Sequence, residues 1–412
     1  MYSLTANHPP QPIWRSARCR IGRWTIGLLF VLILALVVPQ SARADEALDE
    51  YNLATGQYKL KRWDQAAERF RAFIKNHTGN VKIPLARLYL GLTLVHQKKY
   101  GDSRTVLRGF VKDYPQSKHR PDAMYRIGEC SYFLGDLKAA AQEFSTFLKT
   151  YPKNELAEWA TPYLADAYRR AKQPQEAADI YLQALKKYPN SRFTEESTFG
   201  LARCYESLKQ PDDAIAMFGK VAAMKNGTRA AEAQMAVASV QFDAGRFRDA
   251  AGSYEQFIAR YPESDLLPQA EINAGYAHYQ AGDFQRAVSH FDRAAKDKGQ
   301  QATAGYWMGV SRKALRQYAE ASRDLEAAFK ADENGPLAQN ALFQWADTEF
   351  HREQYNTART RFLDVVKRWP KGDLADDSLH LAAEAALNEG KLDDGDRLVS
   401  QFRKEYSNRA LR

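Results

Sequence analysis

Cysteine is almost missing: 412 residues hold three. Three thiols cannot staple a chain of this length, so stability must come from buried apolar surface and not from a disulfide framework. Glycine (23) and proline (16) are sparse too, which excludes collagen-like and loop-rich scaffolds. Charge of one sign is not gathered into a stripe. The net charge is +9, but Arg15, Arg18, Arg20, Arg23 and Arg43 all fall within residues 1–44, where there is no Lys, Asp or Glu. Beyond them Lys and Arg interleave with Asp and Glu, which argues against nucleic acid as a partner. The phosphate-binding G-x-x-x-x-G-K-[ST], the nucleophile elbow G-x-S-x-G and the dinucleotide fingerprint G-x-G-x-x-G are all absent. With 45% hydrophobic and 26% charged residues, the chain is nonetheless a folding one.

No apolar run approaches the ~20 residues that span a bilayer. The longest, Ile26–Val38, follows the arginines at 15–23 and precedes Ser41-Ala42-Arg43-Ala44. This order of basic region, apolar region and small-residue cleavage motif is that of a secretory signal, with cleavage expected after Ala44. Residues 1–44 are therefore read as a signal peptide, or as an N-terminal membrane anchor if uncleaved, touching the membrane only through residues 24–39. Cys19 lies before the apolar run, where no lipid-modification site stands, and Arg18 and Arg20 are not adjacent, as a twin-arginine signal requires.

What remains is one pattern repeated. Trp63–Phe70 (WDQAAERF), Leu137–Phe144 (LKAAAQEF), Pro174–Tyr181 (PQEAADIY), Phe284–Phe291 (FQRAVSHF) and Tyr355–Phe362 (YNTARTRF) share a central alanine and an aromatic four residues later. The alanine position recurs at Ala66, Ser103, Ala140, Ala177, Ala214, Ala250, Ala287, Ala321, Ala358 and Gly395, at intervals of 37 residues save one of 36 and one of 34. Twelve residues before each stands a second small residue, from Ala54, Gly91 and Gly128 through to Ala383. Tyr-Pro or Trp-Pro closes five units, as at Tyr114-Pro115 and Trp369-Pro370.

Each unit reads as two antiparallel helices, A and B. Gly135, Gly245, Gly282 and Gly390 stand where helix A should stop in a left-handed residue. Pro174 and Pro211 open helix B, where a missing N–H costs nothing. The two small residues let the helices of a pair approach, and the aromatic fills the groove beside them. Pro162 falls inside a helix A expected over 155–171 and should kink it or delay its start. The rhythm breaks at Lys225–Thr228, Lys296–Gln301 and Asp332–Pro336, where stacking is expected to be irregular. The last unit, Asp377–Phe402, reads as a degenerate cap. Because one unit buries too little alone, residues 45–412 should form a single solenoid. Cys130 and Cys204 stand two units apart at equivalent positions, roughly 20 Å by helix spacing, far beyond the ~7 Å a bridge allows. They should be free, buried thiols.

The small, small, aromatic and proline positions resemble those of the tetratricopeptide repeat (TPR). The 37-residue period and the Tyr-Pro-x-Ser endings (Tyr114–Ser117, Tyr188–Ser191, Tyr261–Ser264) resemble those of bacterial periplasmic TPR proteins of the outer-membrane assembly and Tol-Pal-associated type. The resemblance implies an all-α fold, a right-handed TPR superhelix of about ten helix-turn-helix repeats. It also implies that residues of helix A one and four past its small residue line a concave groove that touches ligands. On that reading the partner-binding candidates are Tyr58, Tyr132, Arg169, Phe242, Tyr279 and Phe350. The rings suit peptide binding, giving wide contact at little entropy cost, or else pack between helices as core. The Lys/Asn pair of carboxylate-clamp TPRs is absent.

The expected function is a non-catalytic interaction scaffold of the bacterial cell envelope, exported to the periplasm, whose partners are envelope proteins or peptide segments. No catalytic residue, metal ligand or cofactor is expected, because no His pair or Cys/His cluster has ligand spacing. The alternatives are a glycan-binding TPR module of an exopolysaccharide export system, and an adaptor anchored in the inner membrane with its repeats outside the cytoplasm.

Overall fold

A computed structural model describes residues 40–406 except Asn226. The segment read as a signal lies, apart from its last five residues, outside the described part, as does Cys19. The described chain is helical throughout, in ten consecutive hairpins. The first five are α1 (Gln40–Lys59) with α2 (Trp63–Asn76), α3 (Ile83–His96) with α4 (Tyr100–Asp113), α5 (Arg120–Phe133) with α6 (Leu137–Thr150), α7 (Ala157–Arg170) with α8 (Pro174–Lys187), and α9 (Thr194–Ser207) with α10 (Pro211–Ala222). The next three are α11 (Ala230–Asp243) with α12 (Phe247–Arg260), α13 (Leu267–Gln280) with α14 (Phe284–Ala294), and α15 (Gln301–Ala314) with α16 (Tyr318–Ala331). The last two are α17 (Ala338–His351) with α18 (Tyr355–Arg368), and α19 (Ala375–Asn388) with α20 (Leu392–Glu405). Odd-numbered helices are the A helices and even-numbered the B helices. Among the described helices none is long and apolar enough to cross a membrane.

The small residues do what close approach demands. The Ser103 hydroxyl donates to the Gly91 carbonyl at 2.8 Å, joining the two small positions of one unit. A Cβ on Gly128 would stand 2.8 Å from the Phe144 ring. Beside them lie Phe70, Phe144, Phe218, Phe291 and Phe362, the aromatics four residues past the alanine, all fully buried. The core is thus a chain of linked clusters, each shared by adjacent helices, as a stack of units too small to fold alone requires.

Helix A ends in the same way in every unit. Gly135, Gly245, Gly282 and Gly390 have φ of 74° to 81°, as the sequence predicts. The other six equivalents, Lys61, Lys98, Lys172, Lys209, Arg316 and Glu353, take the same left-handed backbone at φ of 57° to 62° despite their side chains. Two hydrogen bonds hold the turn: Lys172 N–H to the Arg169 carbonyl at 3.0 Å and Gln173 N–H to the Tyr168 carbonyl at 3.0 Å, with the same pair at Gly135 and Asp136. This is the Schellman arrangement, which satisfies carbonyls the helix leaves open. The Tyr-Pro-x-Ser endings have a local cause too. Tyr188 caps α8, and the Ser191 hydroxyl oxygen accepts from Phe193 N–H at 3.1 Å just before α9 starts.

One expectation needs correction in part. Pro162 does not delay α7, which starts at Ala157 in step with Arg120 and Thr194, the starts of α5 and α9. Ala157, Ala160, Tyr163 and Leu164 are buried on both sides of it, so packing fixes the helix across the missing N–H. The last unit, degenerate in its sequence positions, still forms two full 14-residue helices, α19 and α20, and Gly395 seats Leu387 where a Cβ would stand 2.5 Å from its Cδ2. At the breaks after α10 and α14 these helices shorten to 12 and 11 residues, whereas α16, before the third break, keeps 14.

Candidate functional site

Successive A helices touch along much of the stack: α1 with α3, α3 with α5, α5 with α7, α7 with α9, α13 with α15 and α15 with α17. No two B helices make a comparable contact. A stack closer along its A helices curves with those helices inside, so the A helices line the inner face. The contact is weaker between α9 and α11, between α11 and α13 and between α17 and α19, so it does not follow the three breaks in the rhythm.

All six candidate residues are half-buried. Four of the five rings spend one edge on their own hairpin, whereas Tyr132 meets Tyr163 of the next unit at 5.0 Å. Tyr58 meets Trp63 at 5.4 Å between centroids, Phe242 meets Phe247 at 5.2 Å, Tyr279 meets Phe284 at 5.3 Å and Phe350 meets Tyr355 at 5.3 Å. In each case the partner is the first residue of the following B helix, so the rings clasp the A–B turn. Some also reach the next unit, Tyr58 to Tyr89 at 5.1 Å and Tyr279 to Trp307 at 5.3 Å. Burial pushes the Tyr58 hydroxyl up to about 12. Only Tyr132 and Arg169 are brought together, through Asp166. The Tyr132 hydroxyl donates to one Asp166 oxygen, Arg169 Nε donates to the other at 2.9 Å, and Arg170 lies 5.0 Å over the Tyr132 ring. The other four stand in separate turns.

Sequence reasoning missed the rule behind that trio. A residue four past the small position bonds to one a single step past it in the next unit, and Lys313 with Asp347 repeats the Tyr132–Asp166 pattern. The two positions lie on different helices, and spacing within one unit does not reveal a pairing across units. Arg203 continues the polar band, 2.8 Å from Glu206 and 3.8 Å from Glu232. Trp307 was missed as well, because its position is not one of the lining positions. A cleft of ≈ 290 Å³ lined by Arg108, Met124, Ile127, Gln142, Glu143 and Thr146 lies between α4, α5 and α6 and holds none of the six candidates.

Cys130 and Cys204 are free and buried, as expected. Burial raises both thiols to about 11, with a Ser103 hydrogen bond partly opposing this at Cys130. At pH 8 both should stay as thiols and resist iodoacetamide in the native chain, then react fully in denaturant. Stoichiometric labelling of the folded protein at pH 8, read by mass spectrometry, contradicts this.

No His pair or Cys/His cluster has ligand spacing along the sequence, but the fold brings one candidate set together. His278, His290 and Glu255, from three helices, place ligand atoms within 4.8 Å of one another.

Family profiles described as tetratricopeptide repeat match residues 51–118, 122–154, 155–227 and 235–304, more than half of the chain. The chain is a member of the tetratricopeptide-repeat family. Among solved structures, this TPR protein is similar to the C-terminal part of a TPR repeat-containing protein from Cytophaga hutchinsonii. The two are 15% identical at a TM-score of 0.52, over 62% of this chain and 99% of that one. A TPR protein from Parabacteroides merdae is 14% identical at a TM-score of 0.41, over 64% and 98% of the two chains. The MamA protein is 20% identical at a TM-score of 0.39, over 45% and 96%. A search of curated proteins found no match. Nothing in these likenesses points to the outer-membrane assembly or Tol-Pal-associated subset of TPR proteins.

Proposed function

We propose that this TPR protein is an exported, non-catalytic scaffold of the bacterial cell envelope that holds segments of partner proteins along the inner face of its A helices. TPR proteins generally act as interaction scaffolds, and the fold typically carries no catalysis. The observation that carries the reading is the inner-face row Tyr58, Tyr132, Phe242, Tyr279 and Phe350. Each ring is anchored at one edge yet half-exposed, so it offers contact area without losing side-chain entropy on binding. The polar band of Asp166, Arg169, Arg203 and Glu206 between the two aromatic stretches would fix the register of a bound segment.

Export is supported by the signal order in residues 15–44. The kinship with periplasmic TPR proteins of the outer-membrane assembly and Tol-Pal-associated type rests on the period and the Tyr-Pro-x-Ser endings alone.

Crosslinking in intact envelopes tests the reading. A photo-reactive residue at Phe242 should yield partner adducts, and a Tyr132→Ala/Phe242→Ala/Tyr279→Ala variant with unchanged circular dichroism should lose the partners the native chain retains. An unchanged partner list overturns the inner-face assignment. N-terminal sequencing that does not begin at Asp45 overturns cleavage after Ala44.

A further inference from the structure

We infer that His278, His290 and Glu255 form a binding site for a first-row divalent metal, with Zn²⁺ the best match, which clamps α12 to the α13–α14 hairpin of the next unit. His278 Nε2 lies 3.0 Å and His290 Nε2 3.4 Å from the same oxygen, Glu255 Oε1. In a tetrahedral site with bonds of about 2.0–2.1 Å, ligand atoms stand about 3.3 Å apart, so both spacings suit the edges of a coordination polyhedron. The two imidazoles are nearly parallel, 5.2 Å apart, and nearly buried at 5% and 4% exposure. Glu255 is 40% exposed at its side chain, which leaves the remaining position open to water.

The far side of the His290 ring is built as a metal-ligating histidine requires, and that of His278 faces a carboxylate at longer range. A ligating Nε2 needs its Nδ1–H held by an acceptor, commonly a carboxylate. His290 Nδ1 is 2.6 Å from Glu271 Oε2, and His278 Nδ1 faces Asp283 Oδ2 at 3.8 Å. Glu271 is itself buried and takes the Arg293 Nε–H at 2.8 Å. Arg293 Nη2 also lies 2.7 Å from His290 Nδ1. It and Glu271 cannot both bond that nitrogen, and a metal on Nε2 selects the carboxylate. Two nitrogens and a carboxylate oxygen favour Zn²⁺, Co²⁺ or Ni²⁺ over Mg²⁺ or Ca²⁺, which prefer oxygen alone.

The same three register positions elsewhere serve a different chemistry. In the unit of α5 and α6 they are Arg108, Ser131 and Glu143, bonded to one another. In the unit of α15 and α16 they are Asp292, Arg312 and Asp324, with Arg312 paired to Asp324 at 2.5 Å. Those sets are closed by complementary charge. At α13 and α14 the complementary pair is replaced by two imidazoles converging on one carboxylate, beside the shortest helix of the stack.

The untagged full chain, stripped with chelator, should take up one Co²⁺ per chain and develop the visible bands of tetrahedral cobalt, which Zn²⁺ then displaces. His278→Gln/His290→Gln should abolish the bands, and Glu255→Gln should weaken binding about tenfold or more. Glu271→Gln should leave the stoichiometry at one while lowering affinity and perturbing the spectrum, as a positioning residue does. The inference is overturned if the native chain shows no saturable cobalt spectrum, or if the double variant keeps it. Should the double variant lose its helical circular dichroism, Glu255→Gln decides, because that side chain is half-exposed: unchanged affinity there overturns the site.

Discussion

Phe144→Ala is expected to cost about 3–5 kcal/mol, the range for truncating a buried phenylalanine whose site cannot collapse. Phe144 is fully buried on α6. Its ring stacks on Tyr163 of α7 at 5.7 Å and 12°, leans on Tyr125 of α5 at 5.9 Å, and presses where a Gly128 side chain would be. It therefore joins the two helices of its own unit and also joins that unit to the next. In a stack stabilised by nearest-neighbour interfaces, such a cavity should weaken one junction instead of lowering stability evenly. Hydrogen exchange should rise over α5, α6 and α7 while α17 and α18 keep their protection, and urea unfolding should split into two steps. A uniform change along the chain, or a loss below about 1 kcal/mol, contradicts the solenoid account of the energetics.

The fold was legible because its determinants are local and repeated. One alanine register, one aromatic four residues on and one proline ending place twenty helices, and four glycines mark turns that the structure puts at positive φ. The six charged residues in the same turn were not legible. Lys61, Lys98, Lys172, Lys209, Arg316 and Glu353 carry no intrinsic preference for that backbone, and hydrogen bonds from the repeat impose it at a cost of about 1–2 kcal/mol each. At Pro162 local preference predicts a kink or a delayed start, and the delay is what tertiary packing overrides.

The candidate site was legible in position and not in contact. The period places Tyr58, Phe242, Tyr279 and Phe350 on helix A. Their clasp on Trp63, Phe247, Phe284 and Tyr355 depends on the direction of the turn, which no spacing rule carries. The histidine cluster was hidden more thoroughly. Its members are 35, 23 and 12 residues apart on three helices, so a search for ligand spacing within one helix passes over them. The signal that could have found it is the register itself: His278 and His290 each stand three residues past a small position, and Glu255 five past one.

That register also separates glycines by what surrounds them. Gly275→Val should destabilise by about 3 kcal/mol, the upper part of the range for overpacking a core. A Cβ there would lie 2.5 Å from Phe291 Cε1 and 2.8 Å from two further ring atoms. Phe291 is fully buried, so the ring is hemmed in by its neighbours on the core side of the helix pair. Gly252, on the neighbouring α12, has nothing within 4 Å of the same position. There the entropy lost by a helical glycine is the only effect left, so Gly252→Ala should stabilise by about 0.5–1 kcal/mol. Opposite signs at two helical glycines 23 residues apart distinguish close helix approach from helix propensity, since propensity alone favours both replacements. Adding Phe291→Leu to Gly275→Val should recover part of the loss, because it removes the ring atoms that a new side chain meets. Chemical denaturation of the three variants measures this, and a stabilised Gly275→Val would mean that the paired small residues do not set how closely helices A and B approach.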